Sequence, residues 1–125
     1  YMIINEDHNT AVSYMSNTMP IPPEKYSIAT STALAAEMLG MSLIYLDAGS
    51  GAKNSISAKM IRKVKEAIQL PVVVGGGINS SAKASEALQA GADVIVIGNA
   101  IEKNPNLIIE VSDKIYTYNK SLNIH

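Results

Sequence analysis

Three β-branched residues, Val72-Val73-Val74, run directly into Gly75-Gly76-Gly77 and then Ile78. The apolar run reads as a buried strand. Three successive residues without Cβ read as a bare backbone loop, held where the chain takes unusual φ/ψ or where something must approach its N–H groups closely. Two further strand-like runs end in the same way: Leu43-Ile44-Tyr45-Leu46 passes into Asp47-Ala48-Gly49-Ser50-Gly51, and Asp93 to Ile97 passes into Gly98-Asn99. Asp47 and Val74 lie 27 positions apart, and Val74 and Ile97 lie 23 apart. That is the spacing of βα units, but no residue motif repeats with it, so the chain is not a solenoid.

The segments between these strands carry helical patterns. An Ala-rich helix is expected from Glu24 to Leu39, with Ile28, Thr32, Ala35, Ala36 and Leu39 inward and Gly40 as its C′ residue. Ser57 caps a second helix whose apolar face is Met60, Ile61, Val64, Ala67 and Ile68. Ser80 or Ser81 starts a third, with Ala84, Ala87 and Leu88 inward and Gly91 as its stop. A last helix takes Asn104 as N-cap and Pro105 at N1, with Leu107, Ile108, Val111, Ile115, Tyr118 and Leu122 along one side. Upstream, Tyr1 to Ile4 reads as a strand, Asn5 to Thr10 as a polar turn, and Ala11 to Met15 as a second short strand. The prolines of Met19-Pro20-Ile21-Pro22-Pro23 argue against regular structure there.

The order is therefore β-α-β-α-β-α-β-α, with continuous apolar strands that imply a parallel sheet buried on both faces. An α/β fold of the (β/α)8 TIM-barrel type follows, of which four units are half, since a whole barrel takes ~250 residues. A doubly wound sheet is the competing architecture. Residues 1–125 then form the C-terminal half of one barrel domain. Tyr1, followed at once by Met2-Ile3-Ile4, reads as a chain that starts inside a strand, so a fragment is expected.

Composition narrows the classes of function. A hydrophobic content of 47% suits a folded core, and a net charge of -1 without long runs of one sign leaves no footprint for nucleic acid. The absence of cysteine excludes a disulfide scaffold and a zinc-thiolate site and fits a cytoplasmic protein. No apolar run reaches the length of a membrane span, so membrane contact is expected to be transient at most. An anionic ligand must accordingly be held by local geometry.

Ligands of α/β folds lie at the C-terminal strand ends, and barrels often hold phosphate in the loops after the last two strands. Those loops are here Gly75-Gly76-Gly77 and Gly98-Asn99, each followed by a turn or helix start whose N–H groups can converge on one anion. The alternative is that the glycines only make tight turns. Tyr45 and Asp47 share one strand face; Asp47 either acts on a ligand hydroxyl as general base or caps its own Gly-Ser-Gly turn. Ser50 has no histidine partner for nucleophilic catalysis. Asp93, at the opposite strand end, is structural, and Glu6-Asp7-His8 reads as a solvated turn, with a metal role as the lesser alternative.

Taken together, Tyr45-Leu46-Asp47-Ala48-Gly49-Ser50-Gly51-Ala52, Val74-Gly75-Gly76-Gly77-Ile78 and Gly98-Asn99 closely resemble the geranylgeranylglyceryl phosphate synthase family, as do Pro20-Ile21-Pro22 and the helix ending Leu39-Gly40-Met41. The likeness covers essentially the whole chain, begins at the family's fifth strand, and is stronger toward the archaeal group than toward the bacterial heptaprenyl relatives. It implies a modified barrel that transfers a prenyl group from its diphosphate to the C3 hydroxyl of sn-glycerol 1-phosphate in archaeal membrane lipid synthesis. It further implies that Ser50, Gly51, Gly75, Gly76, Gly77, Gly98 and Asn99 hold the phosphate, and that Tyr45 and Asp47 bind the glycerol hydroxyls, Asp47 assisting deprotonation. The Mg2+ site and much of the prenyl groove would belong to an N-terminal half, leaving no metal ligand in this chain, and a homo-oligomer is expected. Two departures stand out: Asp47 replaces the family's usual glutamate, one methylene longer, and Met19 stands where a basic residue is expected. Other readings are a non-catalytic phosphate-binding half-barrel and a different phosphate-binding barrel enzyme, a sugar-phosphate isomerase or synthase.

Overall fold

The computed structural model describes residues 1–6 and 11–123. Four parallel strands, β1 (Met2–Ile3), β2 (Ile44–Asp47), β3 (Val72–Gly75) and β4 (Val94–Val96), form one sheet in the order β1-β2-β3-β4. Each strand lies beside the one before it in the chain. A doubly wound sheet would reverse direction at a switch point, so the steady progression is that of a partial (β/α)8 barrel.

The helices are α1 (Ala11–Ser16), α2 (Tyr26–Met38), α3 (Ala58–Ala67), α4 (Ser81–Gln89), α5 (Asn99–Lys103) and α6 (Leu107–Ser121). Strand alternation sends Ile44, Leu46, Val72 and Val74 toward the helices, where they pack with Met60, Ile61 and Val64 of α3 at 2% exposure or less. The opposite face carries Tyr45 level with Val73 and Val94, and Asp47 level with Gly75 and Val96. That inner face is open: Val94 and Val96 are 49% and 41% exposed. The expectation of strands buried on both faces thus fails at β4, because among the described residues β3 is its only strand neighbour and no facing barrel wall covers it.

Caps account for several helix ends. Ser57 Oγ accepts from Met60 N–H at 3.2 Å and Ser80 Oγ from Lys83 N–H at 3.3 Å, as the sequence predicts for α3 and α4. Four expectations are corrected. Ala11–Ser16 is helical, not a strand; so short a segment carries too little periodicity to distinguish the two. Helix α2 buries Ala29 and Ala33, while Ile28 and Leu39 are exposed, because its close approach to α3 selects the smallest side chains. Asn104 ends the unforeseen α5, and i→i−3 bonds from Leu107, Ile108 and Ile109 lead into α6, whose N-cap is Asn106. Ile21, between its prolines, bridges Ile4 in parallel and occupies part of the free edge of β1.

Candidate active site at the strand ends

The C-terminal ends of β2, β3 and β4 surround a pocket of about 350 Å³ whose lining includes Tyr45, Asp47, Ser50, Gly51, Gly76, Gly77, Gly98 and Asn99. Eight of the nine residues singled out from the sequence therefore converge. The ninth, Gly75, is the last residue of β3 and lies beneath the phenol of Tyr45: a Cβ there would fall 2.5 Å from the Tyr45 hydroxyl. It makes room for the site and does not line it.

Asp47 is 8% exposed and accepts hydrogen bonds at both carboxylate oxygens. Gly49 N–H donates to Oδ1 at 2.8 Å, closing the turn that begins the Gly-Ser-Gly loop, and the Tyr1 hydroxyl donates to Oδ2. The turn-capping reading of Asp47 is thus observed, and the same carboxylate still lines the pocket. A carboxylate has about four lone-pair directions, so two remain for a ligand hydroxyl.

Tyr1 was not foreseen as a site residue. It meets Tyr45 edge to face, with ring centroids 5.2 Å apart. Burial, followed by the charge of Asp47, pushes the Tyr45 phenol above the usual tyrosine range. Burial of the hydroxyl, then the bond to Asp47, does the same to Tyr1 although the residue as a whole is 62% exposed. The Tyr1 phenol thus stays neutral as the donor to Asp47. The signal for Tyr1 was the pairing of β1 with β2: once Ile3 is level with Asp47, Tyr1 is level with Tyr45.

The glycine loop has a shape that other residues would resist. Gly76 and Gly77 have φ of +81° and +69°, and their Cβ positions are already filled, by Asp47 Oδ1 and the Gly49 backbone for Gly76 and by the Asn54–Ser55 backbone for Gly77. Among the described residues, the N–H groups of Gly77, Ile78 and Asn79 donate to no protein group. Across the mouth, Ser50 Oγ lies 3.5 Å from Asn99 Oδ1, a loose contact that brings the first and third loops together. Lys103 is the one cationic residue in the pocket lining and was also missed from the sequence.

Asp93 is at the opposite end of the sheet, where its Oδ2 accepts from Lys65 Nζ at 2.6 Å and Val72 N–H at 2.8 Å, in keeping with a structural role. Glu6 is exposed, and Asp7 and His8 lie outside the described residues. No helix among the described residues is long and apolar enough to cross a membrane.

The family model of the PcrB family matches residues 1–116. The chain belongs to the PcrB family. Among curated proteins, a geranylgeranylglyceryl phosphate synthase of Spirosoma linguale is 50% identical over 122 residues, 98% of this chain and 49% of that protein. Relatives of that name come from bacteria and archaea alike, so the likeness is not confined to the archaeal group. Among solved structures, (S)-3-O-geranylgeranylglyceryl phosphate synthase from Thermoplasma acidophilum, in complex with its substrate sn-glycerol-1-phosphate, superimposes with a TM-score of 0.82 at 32% identity, over 91% of this chain and 49% of that one. The wild-type enzyme of Thermoplasma volcanium gives 0.81 at 35% identity, over 90% and 46%. The chain spans about half the length of the curated relatives it matches.

Proposed function

We propose that this chain forms the glycerol-phosphate half of a geranylgeranylglyceryl phosphate synthase, a prenyltransferase that joins a geranylgeranyl group to the C3 hydroxyl of sn-glycerol 1-phosphate. The observation that carries the reading is one pocket uniting three glycine-bearing loops with a buried carboxylate and a phenol. The likeness to a family member solved with sn-glycerol-1-phosphate supports it.

In this reading the free N–H groups after Gly76 and those opening α5 hold the phosphate, with Ser50 and Asn99 closing over it. Tyr45 donates to a glycerol hydroxyl. Asp47 accepts the proton of the C3 hydroxyl as its oxygen attacks the allylic carbon; the carbon–oxygen bond to diphosphate breaks, and diphosphate leaves. Tyr1 donates to Oδ2 and Gly49 N–H to Oδ1, which together fix the orientation of the Asp47 carboxylate.

Asp47 is the one carboxylate lining this pocket, and Mg2+, when bound, would neutralise the charge of the departing diphosphate. We assign the ion, the prenyl diphosphate and the exposed inner face of β4 to an N-terminal half of the barrel, and a homo-oligomer to the assembled enzyme. Reconstitution with that half, followed by an assay of transfer from geranylgeranyl diphosphate to sn-glycerol 1-phosphate, should give the ether product. A folded, stoichiometric complex that yields none overturns the assignment.

A further inference from the structure

We infer that Lys83 is a positioning residue that sets the phosphate cradle, a role that rests on the glycerol-phosphate reading above. Lys83 lies in the first turn of α4, outside the pocket lining, and its ammonium donates to the Gly77 carbonyl at 3.2 Å. No peptide bond in the described chain is cis. In a trans peptide the C=O and the following N–H point in opposite directions. Capturing the Gly77 carbonyl on the α4 side therefore turns the Ile78 N–H away from α4, and Ile78 and Asn79 both line the pocket. The ammonium also polarises that peptide, which strengthens its N–H as a donor to an anion. The backbone of Asn54–Ser55 packs against Gly77 from another side, so the peptide is held between two supports. Lys83 acts through this peptide and touches no substrate.

The test uses the full-length barrel carrying this chain, with Lys83→Met, which keeps the apolar stem, and Lys83→Arg, which keeps the charge and a donor. Lys83→Met should raise KM for sn-glycerol 1-phosphate roughly 3- to 10-fold, while kcat and KM for the prenyl diphosphate stay within about twofold. Lys83→Arg should recover most of the loss. The inference is overturned by an unchanged glycerol-phosphate KM, by an equal rise in both KM values, or by an Arg variant no better than Met. If Lys83→Met loses the cooperative melting of the wild type, Lys83→Gln is measured against the same criteria. A wild-type protein that binds neither sn-glycerol 1-phosphate nor inorganic phosphate instead refutes the functional reading itself.

Discussion

A Cβ on Gly76 would lie 2.7 Å from Oδ1 of Asp47, so the glycine loop of β3 and the carboxylate of β2 occupy one packed unit. Positive φ at Gly76 adds a second reason for glycine, since the left-handed region costs other residues about 1–2 kcal/mol. Gly76→Ala should lose on the order of 1–3 kcal/mol in urea unfolding of the assembled enzyme and raise KM for sn-glycerol 1-phosphate at least as far. An alanine variant with wild-type midpoint and KM would refute the shared-volume account.

Asp47→Asn keeps the shape and the acceptor for Gly49 N–H but removes the base. We expect kcat to fall by on the order of 10²- to 10⁴-fold with a smaller change in KM, as for the loss of a general base. A full kcat in steady-state assays would leave Asp47 with its turn-capping role alone.

The phenols of Tyr1 and Tyr45 make stability depend on alkaline pH. Both titrate higher in the folded chain than the ordinary value near 10. The unfolded chain then loses these protons first, so their contribution is complete below about pH 10 and is lost as pH rises from there toward the folded values. Melting curves between about pH 8 and 11.5 should fall more steeply for wild type than for the Tyr1→Phe/Tyr45→Phe double variant above pH 10. Parallel curves would remove the linkage.

Asp93 ties Lys65 to the backbone of Val72 at the far end of the sheet. Because Asp93 and Lys65 are partly exposed, Asp93→Ala should cost only about 1 kcal/mol, mostly from the unpaired Val72 N–H. Its KM values should equal those of the wild type; a selective change in glycerol-phosphate KM would place Asp93 in the functional machinery.

With Val94 and Val96 open on the inner face, the chain by itself should self-associate. Sedimentation that finds a compact monomer would contradict this, and addition of the N-terminal half should replace self-association with a one-to-one complex.

Local patterns were legible wherever one physical signal dominated. Helix α3 was readable because Met60, Ile61 and Val64 repeat at helical spacing behind a serine cap and are buried, with Ile68 buried just past its end, whereas Ala67, expected inward, is exposed. Helix α2 was readable as a helix but not by face: in Tyr-Ser-Ile-Ala-Thr-Ser-Thr-Ala-Leu-Ala-Ala-Glu-Met, apolar residues occur on several sides, and only packing against α3 picks out Ala29 and Ala33. Helix α5 was missed because Asn104-Pro105 makes a plausible helix start in isolation, and the chain uses it as the turn between two helices.

Strand ends, glycine loops and the βα order are properties of neighbouring residues, so they could be read before any fold was known. The partnership of Tyr1 with Asp47, separated by 46 positions, depends on the register of β1 against β2. So does the role of Gly75, which lies level with Asp47 and beneath Tyr45. The tilt of the Gly77 peptide toward Lys83 depends on where α4 docks. Register and docking arise from packing the whole sheet at once, because a shift of one residue would turn every side chain to the other face. The glycine loops, Tyr45 and Asp47 were legible as a candidate site from neighbouring residues alone; strand register added Tyr1, and the docking of α4 added Lys83.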